Sequence, residues 1–227
     1  QDLDARRAGD QPGLPAGAEF GSALHEVMES IPFESLRGVS SFQDWQGMDD
    51  IRGLFDSALA SYGVDSAHVD YTARLVYCSL TAPVSLGKGV ILPGFRTLTC
   101  FQREVEFLYA YPEKAHPRLS EPPSREFTIG RGYVKGYIDF LFEYQGLVYF
   151  ADWKTDLMAE YRRDVIREHF EAQYVIQAKL YAIAVAEILQ VHSREDFDRT
   201  FGGLLYCFVR GAPGEPAAQD WAHFMRP

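Results

Sequence analysis

The sequence lacks or is poor in four things, and each absence bounds the class of protein. It has only three cysteines, Cys78, Cys100 and Cys207, widely spaced and odd in number. That excludes a disulfide framework and a four-cysteine metal or iron–sulfur site, and suggests three free thiols acting as buried small hydrophobes in a reducing, cytoplasmic setting. It has no run of about 18 apolar residues and no basic segment leading into an apolar one, so neither a membrane span nor a secretory signal is expected. The longest apolar stretch, Ala178–Leu189, is broken by Lys179 and Glu187 and reads as an amphipathic helix. It has no excess of positive charge: 22 Lys and Arg stand against 32 Asp and Glu, a net charge of −10. Such a chain should repel phosphate unless a local basic strip or neighbouring polypeptide supplies attraction. Finally, no Gly-x-x-x-x-Gly-Lys-Ser/Thr sequence occurs, so a nucleotide-driven motor is absent from this segment.

What is present is a globular composition, 47% hydrophobic and 24% charged, in 227 residues, enough for one substantial domain or one with a helical appendage. Residues 1–18 carry Gly, Pro, Asp and Arg and read as a linker or cut end, leaving 19–227 as the domain. Periodicity predicts helices over Gly21–Ser30, with Leu24, Val27 and Met28 on one face, over Asp49–Tyr62, and over Ser66–Leu80 with Asp65 as N-cap. β-formers dominate Leu98–Tyr109, the prolines of 111–126 demand a loop, and Gly132–Tyr144 and Leu147–Lys154 read as strands joined by Gln145-Gly146. Helices over Met158–His169 and Glu171–Leu189, a buried strand over Gly203–Val209 and an irregular tail from Gly211 complete the reading, with no internal repeat.

The hairpin brings charged groups together. A two-residue turn at Gln145-Gly146 pairs Tyr144 with Leu147 and, counted outward, Asp139 with Asp152. Side chains opposed in this way have Cβ atoms roughly 4.5–5.5 Å apart. Lys154, two residues past Asp152, projects from the same face. Opposed carboxylates destabilise a hairpin unless a cation is held between them, and hard oxygen ligands suit Mg²⁺ or Mn²⁺. Such a cation would acidify a bound water and polarise a phosphoryl oxygen, with Lys154 orienting the water or stabilising the phosphorane. Asp-x-Lys alone is weak, because charges are common on solvated strand faces. Here it ends an apolar run, Leu-Val-Tyr-Phe-Ala, and meets Asp139 at the matching position.

Tyr174, Gln177 and Tyr181 fall on one helical face and suit contacts to a phosphate backbone or terminal base, although tyrosines packed on a sheet would show the same spacing. His25 lacks the second histidine of a zinc-protease signature, and Glu104 alone says little.

Together, Gly-Tyr-Ile-Asp (136–139), Asp-Trp-Lys-Thr-Asp (152–156) and Tyr-x-x-Gln-x-x-x-Tyr (174–181) resemble the RecB-type nuclease domains of the PD-(D/E)xK superfamily. The segments at 14–26, 103–107 and 201–211 resemble that family's opening helix with its histidine, its glutamate strand and its closing strand. The resemblance implies an α/β fold, a restriction-endonuclease-like mixed β-sheet flanked by helices with an N-terminal helical segment. It implies His25, Asp139, Asp152 and the Trp153 carbonyl as metal ligands, Lys154 as the catalytic lysine, and Glu104 as a further acid of the catalytic group. Gln177 and Tyr181 become the Gln-x-x-x-Tyr pair, with Tyr174 beside them on the substrate. The implied cofactor is Mg²⁺, with Mn²⁺ or Ca²⁺ able to substitute in binding. The implied partners are DNA fed as a single strand, a helicase part of the same polypeptide, RecC- and RecD-like subunits, and RecA. Ile138 stands where the superfamily has proline. A basic stretch of Lys154, Arg162, Arg163 and Arg167 could touch phosphates or be an ordinary solvated face. The alternative function is a catalytically silent module of this fold that docks a partner or recombinase.

Overall fold

The computed structural model describes residues 14–110, 132–191, 193–212 and 221–226. The proline-rich segment 111–126 and most of the 1–18 linker lie outside the described residues. The helices are α1 (Ala18–Ser30), α2 (Phe42–Gln46), α3 (Asp49–Ser61), α4 (Val69–Thr81), α5 (Arg163–Gln173), α6 (Val175–Ile188) and α7 (Arg194–Thr200). The strands are β1 (Val84–Ser85), β2 (Ile91–Leu92), β3 (Phe101–Ala110), β4 (Tyr133–Tyr144), β5 (Leu147–Lys154), β6 (Phe201–Phe208) and β7 (Ala222–Met225). Strands β3-β4-β5-β6-β7 form one mixed sheet in that order, parallel between β5 and β6 and antiparallel elsewhere. The parallel pair needs a long crossover, which α5, α6 and α7 provide. No helix among the described residues is long and apolar enough to cross a membrane.

The sheet separates two cores. One joins α1, α3 and α4 to Phe140, Phe142, Tyr149, Ala151 and Trp153, and the other joins α5, α6 and α7 to Ile138, Phe150, Leu204, Tyr206 and Phe208. With both faces covered, the central strands need apolar residues at every position. This is why β5 opens on an apolar run, Leu147–Ala151, and why every residue of β6 is buried. Asp152 lies near the end of that buried run and is itself buried.

Local signals explain several boundaries. Asp65 caps the turn before α4, accepting from the Ala67 N–H at 2.8 Å. Gln145 and Gly146 take φ of 51° and 77°, the left-handed pair of a tight hairpin turn. Elsewhere the structure corrects the sequence reading. Met158–Arg162 is not helical: Tyr161 Oη donates to the Asp156 carbonyl at 2.7 Å and accepts from the Met158 N–H at 3.2 Å, holding a loop. The break between α5 and α6 falls at Tyr174. Helix α6 is less amphipathic than expected, with Ala182–Ala186 all buried. The tail holds a strand, β7, paired to β6. Of the cysteines only Cys207 is buried, Cys100 being exposed.

The start of β6 shows how tightly the sheet is packed. A Cβ at Gly202 would lie 2.2 Å from a Tyr149 ring carbon, closer than real atoms approach. Gly202→Ala is therefore expected to destabilise the chain by about 1–3 kcal/mol. The check is a lowered urea midpoint, and an unchanged one would show that the Tyr149 ring moves aside freely.

Candidate active site

The sequence-predicted groups gather where the sheet is interrupted. Along β3, Phe101 packs into the α1 side, whereas Val105, Phe107 and Tyr109 pack into the α6 side. Along β4, Phe140 and Ile138 likewise fall on opposite sides. Residues two apart on a regular strand share a face, so both strands switch faces together. The switch lies between the Arg103–Phe140 and Val105–Ile138 rungs, at Glu104 and Asp139. Glu104 has φ of 48°, a left-handed conformation within a strand that costs a non-glycine residue on the order of 1–3 kcal/mol.

On the other side of β4, the hairpin register counted from the turn holds through Phe140–Ala151 and then stops. The expected Asp139–Asp152 rung is therefore absent from the ladder. Instead, Asp139 Oδ2 accepts the Trp153 N–H at 2.8 Å. The switch at Asp139 turns its carboxylate toward the β5 backbone and α1, out of the regular pleat.

Helix α1 supplies His25. Its Nε2–H donates to the Trp153 carbonyl at 2.9 Å, leaving Nδ1 facing Asp139 Oδ2 at 3.5 Å. One ligand atom from each of His25, Glu104 and Asp139 lies within 4.8 Å of the others. Asp152 stands beside this trio. The Lys154 Nζ approaches the buried Asp152 Oδ2 to 2.5 Å, forming an ion pair. The Trp153 carbonyl is engaged by His25.

The electrostatics are those of a site short of positive charge. Burial raises the Asp139 carboxyl well above its ordinary range, and Asp152 raises it further. Burial also raises Asp152, against the pull of Lys154. Glu104 is raised by burial, then by Glu29 and Asp152. His25 is lowered, chiefly by burial, so its imidazole stays neutral and able to ligate. Three carboxylates and a neutral imidazole form a donor set that fits a divalent cation.

A second layer surrounds Lys154. Its Nζ lies 4.5 Å from the Tyr174 ring centre and 5.4 Å from that of Tyr206. Tyr206 Oη donates to Gln177 Oε1, and Gln177 Nε2 donates to Tyr181 Oη, both at 3.2 Å. Burial, then the Asp152 charge, pushes the Tyr181 phenol up to about 12, so it remains a neutral donor. Tyr174 Oη donates to both Asp156 oxygens, at 2.8 and 2.9 Å, and His169 Nε2 donates to Oδ1 at 3.0 Å. Sequence reasoning missed Asp156, His169 and Tyr206. Asp156 was in view as the last residue of Asp-Trp-Lys-Thr-Asp, but its partners lie 13 and 18 residues away.

The basic stretch does not form one patch. Lys154 points inward, Arg162 pairs with Glu160 and Asp164, and Arg167 faces Glu171. A cavity of about 320 Å³ opens beside Lys154, lined by Gly17, His25, Trp153, Asp156 and Tyr174 among others. A larger depression of about 510 Å³ lies between Arg37 and Thr99, away from these groups. Its two arginines hold backbone carbonyls, Arg37 those of Arg96 and Leu98 and Arg96 that of Leu36.

A profile of the PD-(D/E)XK nuclease superfamily matches residues 2–223. The chain belongs to the PD-(D/E)XK nuclease superfamily. The five-stranded mixed sheet between helical layers agrees with the restriction-endonuclease-like fold of that superfamily. Among curated relatives, the RecBCD enzyme subunit RecB of Haemophilus influenzae is 27% identical, over 94% of this chain and 18% of the relative. RecB of Escherichia coli is 25% identical over 91% of this chain and 18% of the relative. RecB of Mycobacterium tuberculosis is 27% identical over 88% of this chain and 21% of the relative. The chain thus spans about a fifth of the length of these relatives.

Proposed function

We propose that this chain is the DNA-cleaving domain of a larger RecB-type helicase–nuclease, hydrolysing phosphodiester bonds with Mg²⁺ during break processing and recombinational repair. The observation that carries the reading is geometric: ligand atoms of His25, Glu104 and Asp139 lie within 4.8 Å of one another, beside the buried Asp152 and its partner Lys154. His25, Glu104, Asp139 and Asp152 would hold the cation. The Trp153 carbonyl would join them once released from His25. Bound there, a divalent cation supplies an acidified water and a polarised phosphoryl oxygen.

The protein's own groups do the rest. Lys154 orients the attacking water and stabilises charge gathering on the phosphorane. Gln177 and Tyr181, on α6 beside it, hold the strand by its phosphates. The net charge of −10 opposes DNA capture by this domain alone. In the parent protein the motor and RecC- and RecD-like subunits would deliver a single strand to the site, and RecA would act on the product. A cytoplasmic location follows from that role.

The test incubates the purified chain with end-labelled single-stranded DNA in Mg²⁺, Mn²⁺ and EDTA. Cleavage that needs the cation is expected. No cleavage together with no Mn²⁺ or Mg²⁺ binding in a calorimetric titration would overturn the reading and leave a silent docking module.

A further inference from the structure

We infer that Tyr174, Asp156 and His169 are positioning residues that fix Lys154 against Asp152, and that Tyr174 is not a contact to the strand. The inference rests on reading Lys154 as the catalytic lysine of the proposed nuclease.

The geometry leaves Tyr174 little freedom for another task. Both Asp156 oxygens accept its hydroxyl, so the phenol cannot rotate away without losing both bonds. His169 donates to the same carboxylate and sets its plane. The His169 ring also meets the Tyr174 ring edge-on, with centroids 5.8 Å apart. The Tyr174 ring stacks on Tyr206 at 5.4 Å, and Lys154 Nζ lies near both ring faces. An ammonium near aromatic faces is attracted by their quadrupoles, more so when desolvated. Lys154 is mostly buried, with a side-chain exposure of 15%.

The arrangement also addresses a weakness of lysine. Its four-carbon stem is flexible and its charge lacks direction, so it holds geometry less well than a guanidinium fork. Asp152 Oδ2 draws Nζ to 2.5 Å from one side. The rings supply walls, and Asp156 fixes the nearer wall. Asp156 lies two residues beyond Lys154 on the loop leaving β5, and His169 comes from α5, so two separate elements hold the same ring.

The test compares Tyr174→Phe, Tyr174→Leu and Asp156→Asn with the unaltered chain in steady-state cleavage of single-stranded DNA at saturating Mg²⁺. Misplacing a reacting group by about 1 Å can lower a rate by ~10²-fold. Tyr174→Leu is therefore expected to lower kcat about 100-fold. Tyr174→Phe and Asp156→Asn, which keep the ring, should lower it about tenfold. KM should stay within about twofold in all three, because no strand contact is lost. A raised KM with unchanged kcat would make Tyr174 a strand contact and overturn the inference, as would no change in either constant. Should Tyr174→Leu fail to fold, the two ring-retaining variants decide.

A second measurement does not depend on catalysis. The Lys154 ε-methylene protons should show an upfield ring-current displacement in NMR spectra, reduced in Tyr174→Leu, where the Tyr206 ring remains, and kept in Tyr174→Phe. Its absence in the unaltered chain would overturn the inference. An inactive chain that shows the displacement would instead overturn only the nuclease reading.

Discussion

Asp139→Asn is expected to reduce metal-dependent cleavage by on the order of 10²–10³-fold, the scale for losing one preorganised electrostatic group. The same change should stabilise the cation-free chain at neutral pH. Asparagine keeps an oxygen for the Trp153 N–H that Asp139 accepts at 2.8 Å, so the local fold survives. What it removes is a buried charge facing Asp152. The Asp139 carboxyl is raised in the folded state, by burial first and Asp152 second. A raised carboxyl binds its proton more tightly when folded. Its contribution is therefore most favourable below the unfolded value of about 3.9 and is lost as pH climbs to the raised folded value. At pH 8 the unaltered chain carries more of the penalty than at pH 5, and Asp139→Asn carries none. Urea melts at pH 5 and pH 8 without divalent cation check this: the advantage of the variant should widen at pH 8. Adding Mg²⁺ should restore the unaltered chain and leave the variant unmoved, because the cation binds the deprotonated site. Equal midpoints for the two chains at pH 8 would contradict the coupling of the two aspartates.

That coupling was legible in the sequence, though its geometry was not. The Gln145-Gly146 turn fixes register, since a one-residue slip would invert every side chain of β5 between two covered faces. β5 therefore runs over Leu147–Lys154 as read, and pairing follows the expected count as far as Phe140–Ala151. The next rung fails because Glu104 and Asp139 break the pleat together, and nothing local in Arg-Glu-Val-Glu-Phe signals a left-handed glutamate. Propensity alone would keep it extended.

Other losses have other physical causes. Strand β7 has four half-buried residues and takes its identity from pairing with β6, a long-range fact. Helix α7 could have been read: Ser193 accepts the Asp196 N–H at 3.0 Å, an N-cap whose serine and following acids stand in the sequence. The ring walls around Lys154 come from Tyr174 and Tyr206, on the α5–α6 junction and the parallel neighbour of β5. A strand's parallel neighbour across three helices is fixed by packing, and no spacing rule reaches it. The spacing of Tyr174, Gln177 and Tyr181 pointed to one shared environment; in the structure Tyr174 lies against Lys154, while Gln177 bonds Tyr181 and Tyr206.

Lys154→Ala is expected to reduce cleavage to background and to destabilise the chain by about 3–5 kcal/mol, the range for breaking a buried ion pair by removing one partner. The buried Asp152 would lose its nearest cation and keep its like-charged neighbours Asp139 and Asp156. A double variant, Asp152→Leu with Lys154→Met, separates the two effects. It removes both charges together, relieves Asp139 of its strongest like-charged neighbour, and fills similar volume with apolar groups. Replacing a buried pair in this way is often neutral or stabilising by about 1–4 kcal/mol. The double variant should therefore regain the urea midpoint of the unaltered chain or exceed it, with cleavage still at background. That result would mean that folding alone does not require Asp152 and Lys154, and that their buried charges serve the reaction. A double variant as unstable as Lys154→Ala would mean the reverse, that the pair is a structural element of β5 whose charges the surrounding tyrosines and Asp139 need in order to pack.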